Sequence, residues 1–142
     1  MRISDVLRAK GSAVATVDPG ISVSGLIAEL ARHNIGAMVV VENDEVVGIV
    51  SERDVVRQIH ERGADLLNAR VSEIMTRSVF TCLPTDSVDS LAATMTERRI
   101  RHMPVVVEGR LVGIVSIGDA VKSRIGELES DREQLESYIA RG

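Results

Sequence analysis

Two segments of the chain place a serine hydroxyl, a carboxylate and a run of backbone amides side by side. They are Gly48-Ile49-Val50-Ser51-Glu52-Arg53-Asp54 and Gly113-Ile114-Val115-Ser116-Ile117-Gly118-Asp119. Each reads as the end of a strand running into a helix. The first amides of a helix have no partners of their own, so with the helix dipole they attract a phosphate, and the serine adds a further bond. A carboxylate at the third helical position can accept from both hydroxyls of a ribose, as the acidic residue of dinucleotide folds does. The same Ser-x-x-Asp spacing is also a capping box, which needs no ligand, and one pair of side chains can serve both purposes. A second group, Arg98, Arg99, Arg101 and His102, crowds one helix-to-strand junction. Arg98 and Arg99 read equally well as a solvated face. Arg101 offers a phosphate a fork of donors, and a protonated His102 would add charge.

Other chemistry is not supported by the residues present. There is no Gly-x-Ser-x-Gly, no phosphate-binding loop ending in Gly-Lys-Ser/Thr and no pair of histidines at helical spacing. His33 and His60 lack companions at metal-ligand spacing, so no metal is expected. Cys82 is alone, which excludes an intrachain disulfide; it reads as a small buried hydrophobe in a reducing, cytoplasmic setting. No nucleophile with a base is nominated, and the protein is not expected to be an enzyme.

The elements that position these residues follow from an internal repeat. An offset of 65 aligns Thr16 with Thr81, Pro19 with Pro84, Met38 with Met103 and Val47-Gly48-Ile49-Val50-Ser51 with Val112-Gly113-Ile114-Val115-Ser116; 17 of 42 positions between Thr16 and Arg57 are identical. A shifted match of Ile3-Ser4-Asp5-Val6 with Val71-Ser72-Glu73-Ile74 extends each copy at its front. Within a copy, Thr16-Val17 and Thr81-Cys82 read as short strands stopped by proline. Ser22 and Ser87 read as N-caps of amphipathic helices, and the valine-rich runs after them as hairpins turning at Asn43-Asp44 and Glu108-Gly109. Ser51 and Ser116 then cap a closing helix. The order is β-α-β-β-α, twice, in an α/β (α+β) fold. The expected organisation is repeat 1 over 1–62, a linker over 63–70, repeat 2 over 71–125 and a C-terminal helical tail over 126–142.

With Pro after the first strand, His102-Met103-Pro104-Val105 entering the second and Gly-hydrophobic-x-Ser-x-x-Asp joining the third to its helix, the unit resembles the cystathionine-β-synthase (CBS) domain. Two in tandem resemble the pair called a Bateman module, in particular small stand-alone bacterial CBS-pair proteins. The resemblance spans about Met1 to Ile125. It implies two units about a pseudo-two-fold axis and a homodimer. It further implies a non-enzymatic sensor that binds an adenosine nucleotide (AMP, ADP/ATP or NAD(H)) in clefts between the repeats and signals by conformational change to an unidentified partner. The alternative is a ligand-free, homodimeric interaction or stress protein of the same fold. By position, the resemblance carries ligand contact to Thr16, Val17, Thr81, Cys82 and Leu83 on the first strands. The junction residues are Gly36, Ala37 and Met38 in one copy and Arg101, His102, Met103 and Pro104 in the other; Ser51, Arg53, Asp54, Ser116 and Asp119 complete the set. Because Gly36-Ala37 stand where the second copy has Arg101-His102, the two clefts are expected to differ in charge, with Arg101 holding phosphate beside Asp119.

Composition sets the outer limits. The chain has 142 residues, 44% hydrophobic and 27% charged, an ordinary globular balance. A formal net charge of -4 gives no pull toward nucleic acid, and no apolar run approaches the roughly 20 residues that span a bilayer. Phe80 and Tyr138 are the only aromatic rings, so a bound purine is expected against aliphatic side chains. Ile125, Leu128, Leu135 and Ile139 form an apolar stripe along the tail, and with the helix faces around Leu26, Leu30, Leu91 and Met95 they are expected to seat a second copy.

Overall fold

A computed structural model describes residues 1–141, so Gly142, the last residue of the expected tail, lies outside the described residues. The elements run α1 (Ile3–Lys10), β1 (Thr16–Val17), α2 (Val23–His33), β2 (Ala37–Glu42), β3 (Glu45–Ser51), α3 (Glu52–Arg62), α4 (Val88–Arg98), β4 (His102–Val107), β5 (Arg110–Ser116) and α5 (Ile117–Arg141). Short 3₁₀ turns at Gly63–Asn68 and Val71–Glu73 join α3 to the second repeat.

Local chemistry explains most boundaries. The Ser22 hydroxyl accepts from the Gly25 amide and the Ser87 hydroxyl from the Ser90 amide, each at 3.0 Å, which starts α2 and α4. Asn34 and Arg99 end those helices in the left-handed region, with φ of 53° and 56°. Both hairpins turn through two residues of positive φ, Asn43-Asp44 and Glu108-Gly109, the backbone that fits the twist of the strands they join. β1 runs parallel to β2, and β2 and β3 pair antiparallel, as do β4 and β5.

The second copy departs from the first at its front. Thr81-Cys82 is not a full strand: Cys82 makes a single parallel bridge to Val105, through its amide to Pro104 O and the Val106 amide to its own carbonyl, both 3.0 Å. Pro104 stands where β2 has Val39, and without an N–H it cannot extend that ladder.

The two cores cross the sequence repeat. Val17, Val23, Leu26, Leu30, Met38, Val40, Val50 and Val55 are closed over by Leu66, Ala69, Val71 and Ile74 from the connecting segment. Cys82, Val88, Leu91, Met95, Met103, Val105, Val115 and Ala120 are closed over by Ile3, Val6 and Leu7 of α1. Matching backbone bonds fix the exchange. Ser4 N donates to Pro84 O at 2.9 Å in one half and Ser72 N to Pro19 O at 3.0 Å in the other. Within the segment 63–70, expected as a linker, Leu66 and Ala69 are buried against the first core while the other residues are exposed. This arrangement also explains the glycine of each Gly-Ile-Val-Ser segment. A Cβ on Gly48 would meet Met75 Sδ at 2.6 Å and Thr76 O at 3.0 Å, and one on Gly113 would meet Leu7 Cδ2 at 2.7 Å. The glycines let the front segments lie on the sheets.

Leu26, Leu30, Leu91 and Met95, expected on an exposed face, are all buried in these cores, because α1 and the connecting segment cover them. Exposed apolar side chains are most concentrated on α5 (Val121, Ile125, Leu128, Leu135, Tyr138, Ile139), which continues from Ile117 into the tail, with others on α3 (Val56, Ile59), on α2 (Ile27) and at Met1, Ile35, Leu67, Phe80 and Leu83. Among the described residues no helix is long and apolar enough to cross a membrane.

Candidate functional site

Two clefts lie where the repeats meet, and the 65-residue offset relates them. The first, of about 260 Å³, is walled by Ser78-Val79-Phe80 and Ile100-Arg101-His102 on one side and by Ile49 and Ser51 to Asp54 on the other. The second, of about 480 Å³, is walled by the matching Ala13-Val14-Ala15 and Ile35-Gly36-Ala37 on one side and by Ile114 and Ser116 on the other. Gly36, Ala37 and His102 line both. Each cleft thus takes its junction from one repeat and its helix-start serine from the other; Asp54 lines the first, while Asp119 reaches the second through its bond to Lys10, which lines it.

In the first cleft the capping box is complete. Asp54 Oδ2 accepts from the Ser51 amide at 2.8 Å and from the Ser51 hydroxyl at 3.1 Å, and the Asp54 amide donates to Ser51 Oγ at 3.3 Å. No cation pairs with Asp54 among the described residues. In the second, Asp119 Oδ2 accepts from the Ser116 amide at 2.9 Å and also from Lys10 Nζ at 2.6 Å. Lys10 Nζ donates in addition to Ile114 O at 3.0 Å. Burial pushes the Asp119 carboxyl up, but the Lys10 ammonium and the Ser116 amide together outweigh it and the net shift is down. Lys10 was not legible as a site residue. Its partner is more than a hundred positions away, and only the crossing of α1 onto the second core brings the two together.

The expected place of the phosphate cation is corrected. Arg101 lines the Asp54 cleft, not the Asp119 cleft, and stands there with Arg53, Arg57 and Arg99. The reason is the crossed construction of the clefts, which turns the second repeat's junction toward the first repeat's helix start. His102 is also corrected. Burial and then the nearby Lys10 charge push its imidazole below the ordinary value of 6.5 against the pull of Asp119 and Glu52, a direction that disfavours the protonated donor. Nor are the walls purely aliphatic. Phe80 is 40% exposed and lines the Asp54 cleft, with the Arg98 guanidinium 4.8 Å from its ring centroid.

The remaining expected residues lie behind or beside these walls. Val17, Met38, Cys82, Met103 and Pro104 are buried. Burial pushes the Cys82 thiol up to about 12, with Asp86 adding to the effect, so it is not a thiolate at neutral pH. Thr81 and Leu83 are exposed, and the Leu83 amide is taken by Asp86 Oδ2 at 2.9 Å. Thr16 lines a separate hollow with Ser12, Asp44 and Arg110. Among the described residues no three potential ligands cluster to hold a metal ion.

The doubled fold with paired interfacial clefts defines a class, the tandem CBS pair, and the comparisons with known proteins agree. The CBS domain family model matches residues 3–61 and 71–126, and this chain belongs to that family. A CBS-domain-containing protein from Agrobacterium tumefaciens superposes with a TM-score of 0.85 at 42% identity, covering 87% of this chain and 99% of that one. A mitochondrial CBS domain-containing protein from Arabidopsis thaliana is 34% identical over 99% of this chain and 72% of its own length. The CBS domain pair of protein MJ0100, solved with 5′-methylthioadenosine and S-adenosyl-L-methionine, superposes with a TM-score of 0.80 at 28% identity, covering 89% of this chain and 98% of that one.

Proposed function

We propose that the protein is a regulatory module that binds an adenosine nucleotide in one or both clefts and transmits occupancy to a protein partner, without catalysing a reaction. The observation that carries this reading is the repetition of one arrangement. Two helix starts, each with a serine and a carboxylate at the third position, open onto concave sites between the repeats, and the similar MJ0100 pair holds adenosine compounds. AMP, ADP/ATP and NAD(H) all present the adenosine and phosphate that these groups suit. Binding would shift the relative tilt of the repeats only as far as its affinity differs between the two arrangements. A thermal-shift and calorimetric series with adenosine, AMP, ADP, ATP and NAD(H) tests the reading. A ligand at about 100 times its Kd should add roughly 2.7 kcal/mol of stability. No shift with any of them removes it.

A second reading is favoured by a specific observation: the Ser51–Asp54 box closes on itself without a ligand. In that case the module acts through its surface. The apolar side chains of α3 and α5 are the face on which a cytoplasmic homodimer would form. Sedimentation equilibrium decides the dimer, since a 15.4 kDa species at every concentration rules it out.

A further inference from the structure

Helix α5 turns polar side chains toward its own body and apolar ones away from it. Where it leaves the second core, the residues it sets inward are Ala120, which is buried, and Ser123 and Glu127, which are half-buried. Its apolar stripe lies roughly a third of a turn round the helix from these. Val121, Ile125, Leu128, Leu135 and Ile139 are each more than half exposed, and every residue from 128 to 141 is exposed. Helices bury such a stripe, and a segment of this length without tertiary packing is marginal in water. Gly126, with nothing within 4 Å of its Cβ position, weakens the helix further. The stripe therefore needs a second surface.

Its spacing is that of a two-stranded coiled coil. In a seven-residue repeat lettered a to g, Val121, Leu128 and Leu135 fall at d, and Ile125, Arg132 and Ile139 at a. Isoleucine at a with leucine at d is the pattern of parallel dimers, and a single polar a residue fixes their register. Ser123, Ser130 and Ser137 recur at f, on the face opposite the seam. The flanking charges suit a second copy running the same way. In such a pair Arg124 at g stands opposite the partner's Glu129 at e; within its own chain it reaches only Glu127, at 3.4 Å. Arg132 packs beside the partner's Asp131 and is already held by its own Glu136 at 3.1 Å, so the one charge in the seam is compensated on both sides. The same guanidinium fork stands between Asp131 and the partner's Glu136, the like-charged g and e pair. An antiparallel pair would instead set Glu129 against the partner's Glu129 and Asp131 against the partner's Asp131. Leu128, Arg132, Leu135 and Ile139 lie past residue 126, where the family match stops, so the seam is an addition to the shared module.

We infer that two copies of the chain pair through α5 as a parallel, in-register coiled coil along Val121 to Ile139. This rests on the homodimer reading and sharpens it, placing the contact on α5 rather than α3, and it is independent of nucleotide binding. Asp119 stands in the first turn of α5, so the seam and that carboxylate share one continuous helix. The full chain is tested by sedimentation over a concentration series and by disulfide trapping with oxidised glutathione. Cys82 is buried and its thiol is pushed up to about 12, which leaves the introduced thiols to react. Leu135→Cys should be trapped as a covalent dimer, and Ser137→Cys, on the opposite face, should not. Leu128→Asp/Leu135→Asp should raise the dimer Kd about a hundredfold. Arg132→Ile should lower it about tenfold, because a polar a residue fixes register at a cost in stability. All of these side chains are exposed, so the melting of the body should stay near that of the parent. A dimer that forms as tightly in Leu128→Asp/Leu135→Asp overturns the inference and leaves a homodimer through α3 standing. Trapping of Ser137→Cys as readily as Leu135→Cys, or of neither, overturns the parallel seam as well. A parent that is monomeric at every concentration removes the inference and the homodimer together, while the nucleotide reading remains.

Discussion

The two clefts descend from one repeated unit, yet they present opposite electrostatic problems. In one, a lysine is already seated on the carboxylate; in the other, the carboxylate is engaged only by its own cap and four arginines stand unpaired around it. The backbone frame is shared and the charge is not. What separates them is therefore a handful of substitutions at matched positions, Gly36 against Arg101, Asn34 against Arg99 and Gly118 against Arg53, together with Lys10 arriving from α1. A repeat can keep its capping and packing chemistry while its two sites diverge, because the charged positions on the rim are not needed for the fold.

The comparison rests first on the crossed cores, and that is where the largest effect is expected. Leu66→Ala in the connecting segment and Ile3→Ala in α1 each remove a fully buried side chain from a different half. Each should destabilise the protein by about 2–5 kcal/mol in urea unfolding. A loss below about 1 kcal/mol for Leu66→Ala would mean that 63–70 behaves as a solvated linker, and the pairing of each front segment with its sheet would fail.

A smaller asymmetry is expected at the matched glycines. A Cβ at Gly48 meets the Thr76 carbonyl, which the bridge between Ile49 and Thr76 fixes, as well as Met75; a Cβ at Gly113 meets only the end of the Leu7 side chain. Gly48→Ala should cost about 2–3 kcal/mol and Gly113→Ala about 1 kcal/mol, because backbone yields less readily than a leucine rotamer. Equal losses would show that both front segments are held with the same rigidity.

Much of this frame was legible in the sequence. The doubled Gly-Ile-Val-Ser-x-x-Asp, the serine caps and the valine runs put helices α2 to α5 and both hairpins in place, since each depends on chemistry within a few residues. What was hidden depends on distance. The crossed construction of the clefts set Arg101 against the first repeat's helix start, the pairing of α1 with the second core brought Lys10 to Asp119, and no local pattern encodes a contact between residues 10 and 119. Thr81-Cys82 lost its strand to the missing amide of Pro104, a signal present in the sequence but visible only once the strand partner is known. Phe80 likewise became a cleft wall through its place before that bridge.

The Lys10–Asp119 pair sharpens the difference in charge. The pair is partly exposed, so Lys10→Met should lower stability at neutral pH by only about 1 kcal/mol. The sign with pH follows from the depressed Asp119 carboxyl. Its contribution is fully present above the ordinary value of 3.8 and is lost as pH falls through the lower folded value, so parent and Lys10→Met should converge in acid. The same variant leaves Asp119 open to a ribose. Adenosine should then gain affinity at that cleft, while Asp119→Asn should weaken adenosine-type binding there by about 1.5–3 kcal/mol. If Lys10→Met leaves adenosine affinity and the acid limb of the stability curve unchanged, Lys10 does not guard the carboxylate.

The finest test is His102, the titratable side chain that lines both clefts. Burial lowers its titration point most, the Lys10 and Arg101 charges lower it further, and Asp119 and Glu52 oppose them. Its imidazole should titrate below 6.5 by NMR. A group whose folded value is lowered contributes stability above its unfolded value and loses it as pH falls through the folded one, so the protein should weaken from about pH 6.5 downward by less than about 1 kcal/mol, and His102→Gln should flatten that slope. A phosphate bound in either cleft brings negative charge toward the ring and should raise its titration point. The two clefts can be told apart by this one signal. If the arginines dominate, Arg99→Asn should blunt the rise seen with ATP, whereas Lys10→Met should not. A free-protein value above 6.5 would mean that His102 is a cation at neutral pH, and the charge difference between the clefts would then include a positive group common to both.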